Sequence, residues 1–155
     1  HQPRRQRQMC IRDRYNVIEP GKRPRATLTP ALAIKDKRPF LSFAVQGGDT
    51  QDQNLLQFFL NMVEFEMNVQ EAAEAANVNS YQMYSSFGTH SKEAGRIVVR
   101  DDTPPWVIKD LRSKGYNVVT RRLTSGPINA IWFDHKNGTM WGGSSNFGED
   151  YGIGW

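Results

Sequence analysis

Cysteine occurs once in this chain of 155 residues, at Cys10, so neither an internal disulfide nor a multi-cysteine zinc site can form. Histidine is almost as scarce: His1, His90 and His135 are too few and too scattered for a metal cluster. No metal and no other cofactor is therefore expected. Long apolar runs are missing as well. Phe40–Val45 stops at Gln46 and two glycines, and Leu55–Val63 is interrupted by Gln57 and Asn61, so nothing approaches the roughly 18 to 20 residues of a membrane span. There is no P-loop and no Gly-x-Gly-x-x-Gly pattern, which removes the common phosphate-cradling signatures. The polar, Arg-rich start His1–Arg14 has no apolar centre and does not read as a secretory signal. The compartment is left open, since a fragment would have lost any signal lying upstream.

The net charge of +4 suggests nucleic acid until its distribution is considered. Residues 1–25 carry eight Lys or Arg against two acids, a balance of +6, whereas the other 130 residues balance at −2. The basicity belongs to the tail, so no nucleic-acid partner is expected for the body. Residues 1–15 read as a disordered leader, or as a stretch foreign to the native protein, and carry no functional weight.

Beyond the tail, strand and helix signals alternate. Ala31–Lys35 and Phe40–Val45 read as a hairpin around Lys37-Arg38-Pro39. Asp49 or Thr50 can cap a helix over Asn54–Glu66, in which Leu55, Phe59, Met62 and Phe65 share a face widened by Leu56, Leu60 and Val63. These side chains read as core. Asn68 caps a short helix through Ala76, and a loop with Tyr81, Tyr84 and Phe87 follows. Arg96–Arg100 is a strand, Thr103-Pro104-Pro105 starts a helix over Trp106–Lys114, Gly115 ends it, and Tyr116–Thr120 is another strand. Asn129–Asp134 and Thr139–Trp141 form a hairpin around Lys136-Asn137-Gly138. The pattern is mixed α/β with antiparallel pairs and excludes a doubly wound parallel sheet.

Three segments can carry chemistry. In Val45-Gln46-Gly47-Gly48-Asp49, between a strand and a helix, paired glycines allow close approach to a ligand. Their N–H groups can stabilise a carbonyl oxygen as it becomes negative, helped by the field of the helix start. The plain alternative is a sharp turn. In Arg25-Ala26-Thr27-Leu28-Thr29-Pro30, the hydroxyls of Thr27 and Thr29 can donate to a carboxylate that Arg23 or Arg25 attracts. The alternative here is a solvated turn leading into the strand. Gly142-Gly143-Ser144-Ser145 is either a binding loop or a tight connection.

The order Gly21-Lys22-Arg23-Pro24, Thr27-Leu28-Thr29-Pro30, then Gly47-Gly48 leading into Leu55–Phe65, resembles the C-terminal part of the small subunit of gamma-glutamyltranspeptidases. The Asn68–Ala76 helix, Gly115 and Gly142-Gly143 continue the likeness, which covers residues 16–155. It is most like the gamma-glutamyltranspeptidase-like members, in which Gly-Gly-Asp precedes a glutamine-rich helix start. The resemblance implies an α/β (α+β) fold: an incomplete N-terminal-nucleophile (Ntn) hydrolase αββα sandwich with mainly antiparallel strands. It implies a precursor that cuts itself to expose a nucleophilic threonine, which takes a gamma-glutamyl group from glutathione or a related amide and passes it to water or an amine. Carried over, Gly47 and Gly48 become the oxyanion hole, and Thr27, Arg25 and Asp49 become substrate contacts. Two departures stand out. A Ser-Ser pair that binds the donor carboxylate in the family is Ala26-Thr27 here, and the closing Gly-Gly-Ala-Asp-Pro-Arg-like stretch is Gly142-Gly143-Ser144-Ser145-Asn146-Phe147. None of Thr27, Thr29 or Thr50 occupies the nucleophile's position, so the implied partner is the N-terminal portion, or large subunit, of the same precursor. An acylase-like amidohydrolase with another donor and a noncatalytic scaffold homologue are the alternative readings.

Overall fold

The structure, a computed structural model, describes residues 18–23, 27–87, 89–124 and 126–147. The expected leader 1–15, Arg25 and Ala26 lie outside the described residues. Ten elements follow in order: β1 (Ala31–Lys35), β2 (Arg38–Val45), α1 (Gln51–Val63), α2 (Val69–Glu74), β3 (Val78–Ser80), β4 (Arg96–Arg100), α3 (Pro105–Ser113), β5 (Asn117–Arg121), β6 (Ile128–Asp134) and β7 (Thr139–Ser144).

One sheet runs β1-β2-β6-β7 and is antiparallel throughout. The other runs β3-β4-β5, with β4 and β5 parallel across α3. The first hairpin turns at Asp36-Lys37, not at Lys37-Arg38-Pro39 as the proline suggests. Both turn residues take positive φ (52° and 61°), the tight geometry that matches strand twist, so β2 begins at Arg38. The second hairpin closes as expected, with Gly138 at φ +68°. The Asp134 carboxylate accepts from the N–H groups of Lys136 (3.0 Å) and Asn137 (3.2 Å) and from Asn137 Nδ2 (2.7 Å).

Alternation along the strands decides the layers. Leu41, Val45, Ile128 and Ala130 point to one face and pack against Phe58 of α1 and Val69, Ala72 and Ala73 of α2. Phe58 is almost fully enclosed, worth roughly 1.5–3 kcal/mol for such a side chain. The opposite face presents Leu32, Ile34, Ile131 and Met140, which are 58%, 66%, 43% and 70% exposed. No described helix covers it.

The helices correct the sequence reading in phase. α1 starts at Gln51, and its buried residues are Gln51, Asn54 and Phe58. Leu55, Phe59 and Met62 flank that line as partly buried packing, while Leu56, Val63 and Phe65 are exposed, the last lying beyond the helix end. Asn68 does cap α2, through a capping box with Glu71, but the helix ends at Glu74. Thr103 does not cap α3: Pro104 takes that place, and Pro105 is the first helical residue.

The segment read as loop after α2 contains β3, which has its outer edge served by side chains. Gln57 both donates to Val78 O and accepts from Val78 N, each at 2.8 Å. Gln53 does the same with Ser80, at 3.1 and 2.6 Å. Gln70 repeats the arrangement on β7, at Ser144. A primary amide has the donor and acceptor of a peptide group, so each glutamine stands in for a neighbouring strand and shields an open edge.

Candidate functional site

Two of the three chemistry-bearing segments, Thr27–Pro30 and the turn from Val45 to Asp49, meet where β2 ends and α1 begins. Gln51, the first residue of α1, is 5% exposed and holds them together. Its Nε2 donates to Thr27 O at 2.6 Å and to Val45 O at 2.9 Å, with Thr29 Oγ1 at 3.3 Å. Thr29 Oγ1 also donates to Val45 O at 3.1 Å. One buried amide thus fixes the Thr27–Thr29 strip against the strand end and the glycine turn.

At that turn Gly48 has φ +118°, a conformation L side chains rarely adopt. A Cβ there would lie 3.0 Å from Cε2 of Phe87. Gly48 O accepts from Gln51 N at 3.1 Å, closing the turn. Among the described residues neither Gly47 N–H nor Gly48 N–H has an acceptor. Two adjacent open N–H groups at a helix start can donate to an oxygen on which negative charge develops. Asp49 is not the helix cap: its Oδ2 accepts from Ser86 N at 2.7 Å, tying the loop that carries Phe87 to the turn. Thr50 holds the cap position without a side-chain bond.

Two clefts open on either side of the Thr27–Thr29 strip. The larger, about 820 Å³, lies between that strip, the end of β2 and Gly126-Pro127, with Asn129 and Phe147 completing it. None of its described lining residues is ionisable. The smaller, about 340 Å³, runs from Gly48 and Asp49 to Met83, Tyr84 and Phe87.

Of the expected site residues, the structure brings Thr27, Gly47, Gly48 and Asp49 together; Arg25 lies outside the described residues. Thr27 has its carbonyl engaged and no described partner for its hydroxyl. Thr29, expected as a second carboxylate donor, gives its proton to Val45 O and serves the fold instead. The Gly142–Ser145 stretch belongs to packing. Gly142 to Ser144 lie in β7, a Cβ at Gly143 would meet the Val69 carbonyl oxygen at 2.7 Å, and Ser145 bonds Ile128 on both sides of its backbone.

Sequence reasoning missed Gln51 and Gly126. Gln51 is one glutamine among several, and only its place immediately after Gly-Gly-Asp-Thr hinted at a role. Gly126 sits so close to the end of β2 that a Cβ would fall 1.7 Å from Gln46 O, while Pro127 O accepts from Gln46 N at 3.2 Å.

The family model described as Gamma-glutamyltranspeptidase matches residues 2–155. The glutathione hydrolase proenzyme of Bacillus subtilis (strain 168) is 31% identical over 140 residues, which cover 89% of this chain and 22% of that protein. The Acylase ACY 1 proenzyme of Pseudomonas sp. (strain V22) is 29% identical over 125 residues, covering 81% of this chain and 20% of that protein. Gamma-glutamyltranspeptidase from Pseudomonas nitroreducens, solved in complex with L-DON, superposes with a TM-score of 0.68 at 22% identity, over 90% of this chain and 68% of that one. The fold is therefore that of the N-terminal-nucleophile hydrolases. The chain spans about a fifth of the length of the curated relatives it matches.

Proposed function

This chain belongs to the gamma-glutamyltranspeptidase family, and we propose that it supplies the oxyanion donors and one substrate wall of an amide-cleaving site whose nucleophile comes from a preceding part of the same precursor. The substrate is a gamma-glutamyl amide of the glutathione kind, and the acyl group passes to water or to an amine. The observation that carries this reading is the junction at Gln51. There two glycine N–H groups and the Thr27 hydroxyl, all without a partner among the described residues, are held beside open clefts by one buried amide.

Residues 16–155 form this part of the domain. Attack on the amide carbonyl would place negative charge on its oxygen, and Gly47 N–H and Gly48 N–H would receive it. The turn is already fixed, so the donors need not reorganise as the charge forms. Thr27, with Arg25, would hold the donor's carboxylate, and Asp49 would act at one remove by keeping the Phe87 loop against Gly48. An N-terminal nucleophile uses its own amino group as base, so no internal threonine of this chain replaces it. The uncovered face with Leu32, Ile34, Ile131 and Met140 supports a further layer supplied by the rest of the precursor.

The test is turnover of gamma-glutamyl p-nitroanilide by residues 1–155 alone and by the full-length, self-processed protein. Turnover by the second only is the expected result. Saturable turnover by the purified short chain, or none by a processed full-length protein that retains its N-terminal threonine, would overturn the proposal.

The acylase reading has its own support in Ala26, where the family's first hydroxyl is replaced. It also draws on the 29% identity with the Pseudomonas acylase.

A further inference from the structure

The loop between β3 and β4 is built as a wall. Glu93 N donates to Tyr81 O at 3.0 Å and Ser85 N donates to Ser91 O at 2.8 Å, so the two arms of the loop are bonded to each other. Asp49 Oδ2 accepts from Ser86 N and anchors the loop tip to the glycine turn. Lys92 Nζ lies 4.8 Å from the centre of the Tyr84 ring, a cation–π contact that steadies the ring. The loop places Met83, Tyr84 and Phe87 on the smaller cleft, which Leu28 also lines. These four large apolar side chains are 83%, 66%, 44% and 83% exposed. Such exposure concentrated on one cleft, itself in contact with Gly48, marks a surface that a ligand covers.

Charge narrows the ligand. The acids lining this cleft are Asp49 and Asp52, and no Lys or Arg lines it among the described residues. An uncharged alkyl or aryl chain would bury the exposed side chains without needing a cation from the cleft's own lining.

We infer that the loop from Tyr81 to Glu93 sets specificity and that its cleft receives an uncharged apolar chain, alkyl or aryl, of the amide substrate. This rests on the proposed role of the Gly47-Gly48 turn, because the cleft is a substrate subsite only if the reacting carbonyl sits at that turn. The chain can belong to the acyl group or to the amine, and two substrate series separate these sources. In the processed full-length protein, kcat/KM is compared for phenylacetyl and acetyl p-nitroanilides, and for benzylamides and methylamides of one common acid. Met83→Glu and Tyr84→Glu put a charge on exposed positions and should lower the aryl-to-methyl ratio about tenfold or more in one series, which names the side that binds. An unchanged ratio in both series, in a protein that still turns over amides, overturns the inference and leaves the function of the glycine turn standing. Where neither series is turned over, the methyl signal of 13C-labelled Met83 decides this inference by itself, and the proposed function fails only if gamma-glutamyl p-nitroanilide is not turned over either. A saturable shift with phenylacetamide, lost in Tyr84→Glu and absent with glutarate, supports the apolar cleft. No shift with phenylacetamide overturns it.

Discussion

Gln51→Leu tests whether one buried amide holds the site together. Leucine is close in volume, so the substitution removes hydrogen bonds more than it removes packing. Two are lost outright, to Thr27 O at 2.6 Å and to Val45 O at 2.9 Å. Each is worth about 0.5–1.5 kcal/mol net. Val45 O keeps its bond from Thr29 Oγ1, so only Thr27 O is left with no described partner. The total is then about 1–3 kcal/mol, and each kcal/mol lowers Tm by about 2–4 °C in a domain of 150–250 residues. The Thr27–Thr29 strip also loses its tether, so kcat/KM should fall further than the stability loss alone would produce. Gln51→Glu supplies the control of sign. At neutral pH it sets a carboxylate against two carbonyl oxygens, and burial with these neighbours raises its pKa above the ordinary value of about 4.3. A raised folded pKa means that the stability of this variant is fully present below the unfolded value and is lost as pH rises through the folded one. Thermal melts of both variants across pH, together with kcat/KM in the processed protein, make the measurement. Wild-type Tm in Gln51→Leu, or a Gln51→Glu variant that gains stability as pH rises from acid to neutral, would refute the reasoning.

Gly48→Val forces a β-branched residue into φ +118° against Phe87 and should reduce kcat about a hundredfold in a folded, processed protein, the scale of one lost oxyanion donor; unchanged kcat removes Gly48 from the role. Gly126→Ala places a methyl group inside Gln46 O and should destabilise by at least about 1–3 kcal/mol, read from the urea midpoint. Thr27→Val should weaken donors that carry an α-carboxylate by about 1–3 kcal/mol and leave matched amides without it untouched, as seen in KM; equal effects on both point to a structural turn. Asp134 is held below the usual carboxylate range, first by the Asn137 side chain and then by the N–H groups of Asn137 and Lys136. Its contribution is present above the unfolded pKa and is lost as pH falls through the folded one, so Asp134→Asn should flatten the acid limb of a stability-versus-pH curve.

The strands were legible because alternation and turn chemistry are local. Arg96–Arg100 coincides with β4, and Asn137-Gly138 closes the β6–β7 hairpin as its residues require. The misreadings have a common cause. Apolar periodicity put Phe65 and Leu56 on the inner face of α1, yet the buried line is Gln51, Asn54 and Phe58, because two of the inward positions hold amides: Gln51 serves the Thr27 and Val45 carbonyls, and Asn54 accepts from the Asn77 side chain. A scan for apolar spacing passes over a helix whose inward positions are filled by amides. For the same reason β3 went unread: three residues with an edge closed by Gln53 and Gln57 need no partner strand on that side, and nothing in Val78–Ser80 announces it.

The same observation orders the site. Gly47 and Gly48 were readable because glycine pairs are rare enough to notice, and their conformational freedom has an evident use. Gln51 was not, because its value lies in what surrounds it. Its amide is useful only where two carbonyls from distant segments, Thr27 and Val45, converge within reach. Thr29 shows the converse. By residue type it was as good a donor as Thr27, and by placement its proton is already given to Val45 O. Hydroxyl chemistry alone could not separate the two threonines, whereas the packing of α1 against the end of β2 does. Candidate ligands in such a turn are therefore better ranked by which polar groups the fold leaves unengaged. By that measure Thr27 and the two glycine N–H groups, which have no partner among the described residues, are the ones the proposed function gives to substrate, and Gln51 and Thr29 are the structure that holds them.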